Sequence, residues 1–195
     1  MQAVEIGRVL RATTTGFTAG CRVGELAYPL FGGLVRVSLA SGEAIYGLIY
    51  DIRIEDDGLV RQLVTAEGVS REVIADNRAN RNVPIEMSAL SVGYEQGGRI
   101  FHLLPPRPPL SLDALYLCSS EEVRGFTSAG RFGYFRHILR ATDLPVSELL
   151  AAHLQQAQSA HAGSDWQERA TQELITLLRD DYPVLMGTLS ALGDL

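Results

Sequence analysis

The stretch Leu34–Ile54, LVRVSLASGEAIYGLIYDIRI, decides the fold. Val35, Val37 and Leu39 alternate with Leu34, Arg36 and Ser38, a polar turn follows at Ser41-Gly42, and alternation resumes with Tyr46, Leu48, Tyr50, Ile52 and Ile54 on one side. Period-two patterning rich in β-branched and aromatic residues, broken by a short glycine-containing turn, predicts a β-hairpin. The face that carries the tyrosines and leucines is expected to enter a core. The opposite face, with Ile45, Gly47, Ile49, Asp51 and Arg53, is mixed and reads as curved or partly covered, with Gly47 marking a bend where a barrel turns a corner.

Working outward, Val4–Thr13 and Gly16–Val23 alternate in the same way on either side of a threonine-rich turn, so they form a second expected hairpin. Residues 24–33 (GELAYPLFGG) are rich in turn formers and read as a loop over one end of the sheet. On the other side, Ile85–Tyr94 and Arg99–Leu104 flank Gly97-Gly98, a third hairpin signal. About six short antiparallel strands with glycine-rich turns predict a small closed barrel, which leaves no exposed edge.

Between the second and third hairpins the pattern fades. Glu55-Asp56-Asp57 reads as a solvated turn that could also offer carboxylates to a cation, and Leu59, Val60, Leu63 and Val64 fall at helical spacing. Residues 66–83 form a polar excursion in which Arg71, Arg78 and Arg81 interleave with Glu67, Glu72 and Asp76. It is either a binding loop or a solvated insertion.

Leu104-Pro105-Pro106-Arg107-Pro108-Pro109 stops the sheet, because proline donates no ladder hydrogen bond, and reads as a semi-rigid spacer or a PxxP ligand. Beyond Ser119 the period is helical. Ser119 with Glu122 and Ser164 with Gln167 fit the capping box, and helices are expected near 120–127, 131–141, 145–161, 165–179 and 183–192. The chain therefore reads as α+β: a small antiparallel β-barrel over 1–104, a proline-rich connector over 105–118 and a helical domain over 119–195.

Composition excludes several chemistries. The 195 residues carry a net charge of −6, which argues against a general polyanion binder, and all seventeen basic residues are arginine. Without lysine there is no Walker A motif, no Schiff base and no kinase-type phosphate lysine. Cys21 and Cys118 are too few and too far apart for a disulfide framework or a zinc site, and Cys21 sits in phase with the apolar face of its strand. His102, His137, His153 and His161 have no metal-ligand spacing, and His153 and His161 are expected as solvent-exposed or capping imidazoles. No GxSxG motif appears. No leader pattern opens the chain and no apolar run approaches the ~20 residues of a membrane span, so a soluble, cytoplasmic protein is expected.

The best basic feature is Arg124–Arg140, RGFTSAGRFGYFRHILR. Arginines interleaved with aromatics are what single-stranded nucleic-acid surfaces use. On a helical wheel, however, Tyr134, Phe135, Ile138 and Leu139 gather on one side and Arg136, His137 and Arg140 on the other, as in an ordinary amphipathic helix. The aromatics read as core, and the arginine face as either a contact surface or a solvated one.

The order IGRVL, VGELAYPLFGGLVRVSL, EAIYGLIYDI and LLPPRPPLSLDALYLCSSEEV, over roughly Val4 to Glu122, resembles the HAS-barrel. That small barrel begins HerA-like DNA-translocating ATPases and crowns the catalytic subunits of ATP synthase. In HerA-like proteins it precedes a P-loop ATPase, whereas here about seventy mostly helical, lysine-free residues follow. The resemblance implies a stand-alone barrel that packs against copies of itself or a partner, with no ATP hydrolysis in this chain; no cofactor is expected. The function expected is a non-catalytic accessory to a HerA-like ring ATPase or a nuclease in DNA processing, with nucleic acid contacted indirectly. A flavin- or small-ligand-binding barrel and a direct nucleic-acid binder are the alternatives. The candidate partner-binding residues are Arg71, Arg78, Arg81, Arg131, Arg136 and Arg140.

Overall fold

The computed structural model describes residues 4–22, 30–54, 70–72 and 84–193. Its strands are β1 (Val4–Ala12), β2 (Gly16–Arg22), β3 (Leu34–Ser38), β4 (Ala44–Ile54), β5 (Pro84–Gln96), β6 (Arg99–Phe101) and β7 (Ala114–Leu117). They lie in the order β2-β1-β7-β3-β4-β5-β6, and a further β2–β5 pairing closes β1, β7, β3, β4, β5 and β2 into a six-stranded antiparallel barrel. β6 stays outside the ring, paired to the last residues of β5 across the Gly97-Gly98 turn. The three expected hairpins are all present.

One barrel strand was not expected. Residues 114–117, inside the stretch read as a connector, form β7, which pairs with β1 on one side and β3 on the other. The prolines end the β5–β6 sheet, and the chain then returns across the barrel: Leu112 N–H donates to the Val9 carbonyl at 2.8 Å, and the Asp113 carbonyl accepts from Val9 N–H at 3.0 Å.

The central hairpin is buried on both faces: the tyrosine and leucine face enters a core as expected, and the reading of the opposite face as mixed is the second correction. Val35, Val37, Ile45 and Ile49 fill the barrel interior with Ile6, Val9, Phe17, Ala19, Ile85, Met87 and Leu115. Leu34, Tyr46 and Leu48 face outward, onto the helices. The face read as mixed is therefore the barrel's own core, and the tyrosine face is the seam between barrel and helices.

Two register shifts shape that wall. Between Tyr46 and Gly47 the β4–β5 pairing skips Val92, and between Ile49 and Asp51 it skips Tyr50. An unopposed residue in a strand is a β-bulge, which bends the wall and re-aims side chains. After the second bulge the alternation changes phase, so Ile52 packs with the interior cluster while Tyr50 packs outside. Gly47 leaves room for Phe17, whose Cζ would lie 2.8 Å from any Cβ added there.

The helices are α1 (Ser120–Ser128), α2 (Phe135–Leu139), α3 (Val146–Ala160), α4 (Trp166–Leu177) and α5 (Tyr182–Gly193), with a 3-10 turn at Gly130–Phe132 before α2. The Ser119–Glu122 capping box forms. The one expected at Ser164 does not: Asp165 is the N-cap of α4, and the Ser164 hydroxyl donates to the His161 carbonyl at 2.7 Å. The single helix expected over 131–141 is broken, because Arg131 and Phe132 adopt φ of 47° and 56°. Such left-handed backbone is uncommon outside glycine, and here it turns the chain so that Phe132 stacks on Phe135 and packs against Trp166.

Barrel and helices share one core. Phe126, Tyr134, Phe135, Ile138, Leu149, Leu150, Leu154 and Trp166 close over Leu34, Tyr46, Leu48, Val92 and Cys118 of the barrel side. Rings run through this seam in contact: Tyr46 on Phe126, Phe126 on His102 and Tyr134, Tyr134 on Phe135. Arg36 of β3 ties the two parts further, with Nε 2.5 Å from Glu122 of α1 and its guanidinium over the Tyr116 ring. Cys21 and Cys118 are buried in different clusters. Glu55-Asp56-Asp57, the helical spacing at 59–64 and nearly all of the polar excursion lie outside the described residues.

Candidate functional site

Arg136 and Arg140, singled out from the sequence, open onto a cleft of about 670 Å³ between the barrel wall and α2. Its barrel side is the end of β1 and the β1–β2 turn. There the Thr13 hydroxyl accepts from the Thr15 and Gly16 amides, both at 3.2 Å, and the Thr15 carbonyl accepts from Ser91 N–H at 2.9 Å. Gly16 permits this approach, since a Cβ there would lie 2.7 Å from the Ala89 carbonyl oxygen. The turn is thereby fixed to β5 and brings Arg11, Thr13 and Thr15 to the rim. Tyr50, the unopposed residue of the second bulge, and Leu90 and Leu104 supply an apolar wall.

The helix side follows from the break before α2. Once the 3-10 turn has directed Tyr134, Phe135 and Ile138 into the seam, Arg136, His137 and Arg140, at i, i+1 and i+4, face the barrel across the cleft. Arg136 donates to the His102 carbonyl, and His137 Nε2 lies 3.2 Å from the same oxygen. Arg140 is exposed and makes no ion pair with any described residue. Arg11 is shared with Glu86 at 3.3 Å.

Among the described residues the lining includes three arginines and no carboxylate, in a chain whose net charge is −6. The local potential is visible in His137. Burial lowers its pKa, the bond to the His102 carbonyl opposes that, and the neighbouring Arg136 and Arg140 lower it further. Its imidazole is thus held neutral, as a donor to the His102 carbonyl. Ser91, also in the lining, is buried and its hydroxyl has no partner among the described residues. Two unneutralised guanidinium groups with hydroxyls opposite suit an oxyanion, which arginine binds through its planar fork of donors.

The other candidates fall elsewhere. Arg131 is exposed on the 3-10 turn and does not line the cleft. Arg71 is exposed in the described segment 70–72, and Arg78 and Arg81 lie outside the described residues. Arg11, Thr13, Thr15 and Tyr50 were not anticipated, and His137 was anticipated only as a member of the arginine face. The available signal was Arg11 directly before a threonine-rich hairpin turn, which reads as an ordinary polar turn until its distance from α2 is known.

The histidines correct a further expectation. His153 is buried, with Nδ1 3.2 Å from the Gly32 carbonyl and Nε2 3.0 Å from the Tyr134 hydroxyl. The carbonyl can only accept, so Nδ1 carries the proton and Nε2 accepts from Tyr134. His161 occupies the C-cap position of α3, but its ring is buried, stacked on Trp166 and bonded to Thr127. His102 is buried as well, with Nε2 3.0 Å from the Phe126 carbonyl. These imidazoles serve as hydrogen-bonded core, and among the described residues no cluster of His, Cys, Asp and Glu could hold a metal. Nor is any described helix long and apolar enough to cross a membrane.

No protein-family model matches the chain, and no curated protein matches its sequence.

Proposed function

We propose that this chain is a non-catalytic binding module whose cleft between barrel and α2 receives an anionic group of its partner. The observation that carries the reading is that Arg11, Arg136 and Arg140, from opposite sides, line one cleft without a carboxylate among the described residues. The resemblance of the barrel to the HAS-barrel supplies the setting: an accessory to a HerA-like ring ATPase, or to a nuclease working with one, in DNA processing. The absence of lysine fits a role beside a nucleotide-hydrolysing partner rather than in place of it. A flavin inside the barrel has less support, because the interior is filled by side chains such as Val9, Val35, Val37, Ile49 and Ile85, each fully buried.

The test is affinity capture of the tagged protein from its own cells at moderate salt, with mass spectrometry, comparing the native chain with Arg140→Glu. Arg140 is the residue to reverse, because it is exposed and holds nothing in place, whereas Arg136 also binds the His102 carbonyl. Recovery of a ring ATPase or nuclease with the native chain, and its loss with Arg140→Glu at unchanged thermal midpoint, is the expected result. Equal recovery with both chains would remove the cleft from the interaction.

A further inference from the structure

We infer that the cleft takes a single nucleoside phosphate unit, the phosphate between Arg140, Arg136 and Arg11 and the nucleoside against Tyr50 and Leu104. The inference takes from the preceding reading only that the cleft binds an anion, and it names which.

Size and division of chemistry carry it. About 670 Å³ falls within the ~300–1,000 Å³ typical of small-molecule sites. That is room for one nucleoside unit within the concavity, whereas a duplex would present only its backbone at the mouth. The lining carries two kinds of group: guanidinium and hydroxyl groups, and the largely apolar side chains of Tyr50, Leu90, Leu104 and Leu144. A simple inorganic anion would leave the second kind unused, and an apolar ligand would leave the arginines uncompensated. A ligand with a phosphate at one end and a flat, largely apolar ring at the other satisfies both, through charge-assisted bonds to guanidinium and stacking on an aromatic face. Arg136 is ready for that role, because its bond to the His102 carbonyl already restricts the side chain, so less conformational freedom is lost on binding. Arg140, without such an anchor, provides most of the remaining attraction. Among the described residues of the lining there is no carboxylate, and of its three arginines only Arg11 is shared with an acid, Glu86.

The unit could come from a free mononucleotide or from the phosphorylated end of a single strand, and the experiment separates them. Calorimetric titration of the full chain uses dAMP, deoxyadenosine, inorganic phosphate and a short single-stranded oligodeoxynucleotide with and without a 5′-phosphate. Expected are dAMP binding tighter than either deoxyadenosine or phosphate, a loss of about tenfold or more in Arg140→Ala, as for removal of one charge-assisted bond, and affinity that falls as salt rises. Tyr50→Leu is expected to weaken dAMP while leaving phosphate binding unchanged. The phosphorylated strand binding tighter than dAMP assigns the strand end, the reverse assigns the free nucleotide, and both outcomes uphold the site. The proposal is overturned if dAMP binds no tighter than deoxyadenosine, or if Arg140→Ala binds dAMP as the native chain does. Partner capture that depends on Arg140 without nucleotide binding would sink this inference and leave the binding-module reading. Arg140-dependent nucleotide binding with partner capture unchanged would do the opposite.

Discussion

Acidification should unfold this protein in part through His153, and the size of the effect follows from its surroundings. Burial pushes the His153 pKa down to about 4 against an ordinary 6.5, with only the bond to the Gly32 carbonyl opposing it. A group whose native pKa is depressed binds protons more readily in the unfolded chain, so a histidine of this kind stabilises the fold fully above pH ~6.5 and loses that contribution as pH falls toward ~4. At pH 5 the loss works out at about 2 kcal/mol, and below pH 4 at roughly 3 kcal/mol. His102, His137 and His161 are shifted in the same direction and add to the acid sensitivity of the native chain. The comparison that isolates His153 is therefore with His153→Gln, which keeps a donor and an acceptor but does not titrate. Urea denaturation of both chains at intervals from pH 7.5 to 4.5 gives the assay. The variant is expected to be weaker at pH 7, by on the order of 1–3 kcal/mol for the disturbed bonds to Gly32 and Tyr134. Its deficit should shrink by about 2 kcal/mol by pH 5. Parallel pH profiles for the two chains would refute the placement of a neutral, buried imidazole there.

Two further expectations concern the barrel and its seam. Gly47→Val should destabilise the chain by ~1–3 kcal/mol in denaturant titration, since even the first carbon would lie 2.8 Å from the Phe17 ring and 3.1 Å from Ala89 Cβ; a neutral result would mean that Phe17 moves aside freely. For Glu122, burial raises the carboxyl pKa but is outweighed by its bonds to Ser119 and Arg36, so the pKa is lowered on balance. Glu122→Gln should accordingly cost about 1–3 kcal/mol near neutral pH, a deficit that disappears as pH falls through the depressed carboxylate range and both chains become neutral at this position.

What was legible in the sequence was the part encoded by local period and turn chemistry. Alternation around Ser41-Gly42 and Gly97-Gly98 gave the hairpins, and Ser119 with Glu122 located the start of α1. Alternation alone does not say which side of a strand faces the interior when both sides are apolar, and Leu34–Ile54 is such a case: Ile45 and Ile49 look inward, Tyr46 and Leu48 toward helices some eighty residues later in the chain. The bulge at Tyr50 changes the phase mid-strand, and a bulge leaves no mark in a period-two pattern. β7 was missed because four residues after a proline run carry too little alternation to announce a strand; what fixes Ala114–Leu117 is pairing with β1 and β3. The buried histidines were illegible for a similar reason, since His153 and His161 face partners supplied by Tyr134, Gly32, Thr127 and Trp166.

The cleft depends on the same non-local features, and this accounts for the unequal roles of its two helical arginines. A regular helix over 131–141 would have carried an unbroken apolar stripe, but the left-handed Arg131 and Phe132 divide it, and only the short α2 that follows is set by the seam. Tyr134, Phe135 and Ile138 are all fully buried, so α2 has no rotational freedom to relieve the crowding of Arg136, His137 and Arg140 on its other side. Arg136 answers that crowding by donating to the His102 carbonyl, and His137 by remaining neutral. Arg140 is left with no counter-charge among the described residues, although the chain carries more acids than bases. Nothing in the packing needs a guanidinium at that exposed position, where a neutral side chain would reduce the repulsion at no structural loss. In the proposed function an anion from outside the chain is the partner of Arg140, and for that reason reversal of Arg140, rather than Arg136, separates binding from folding.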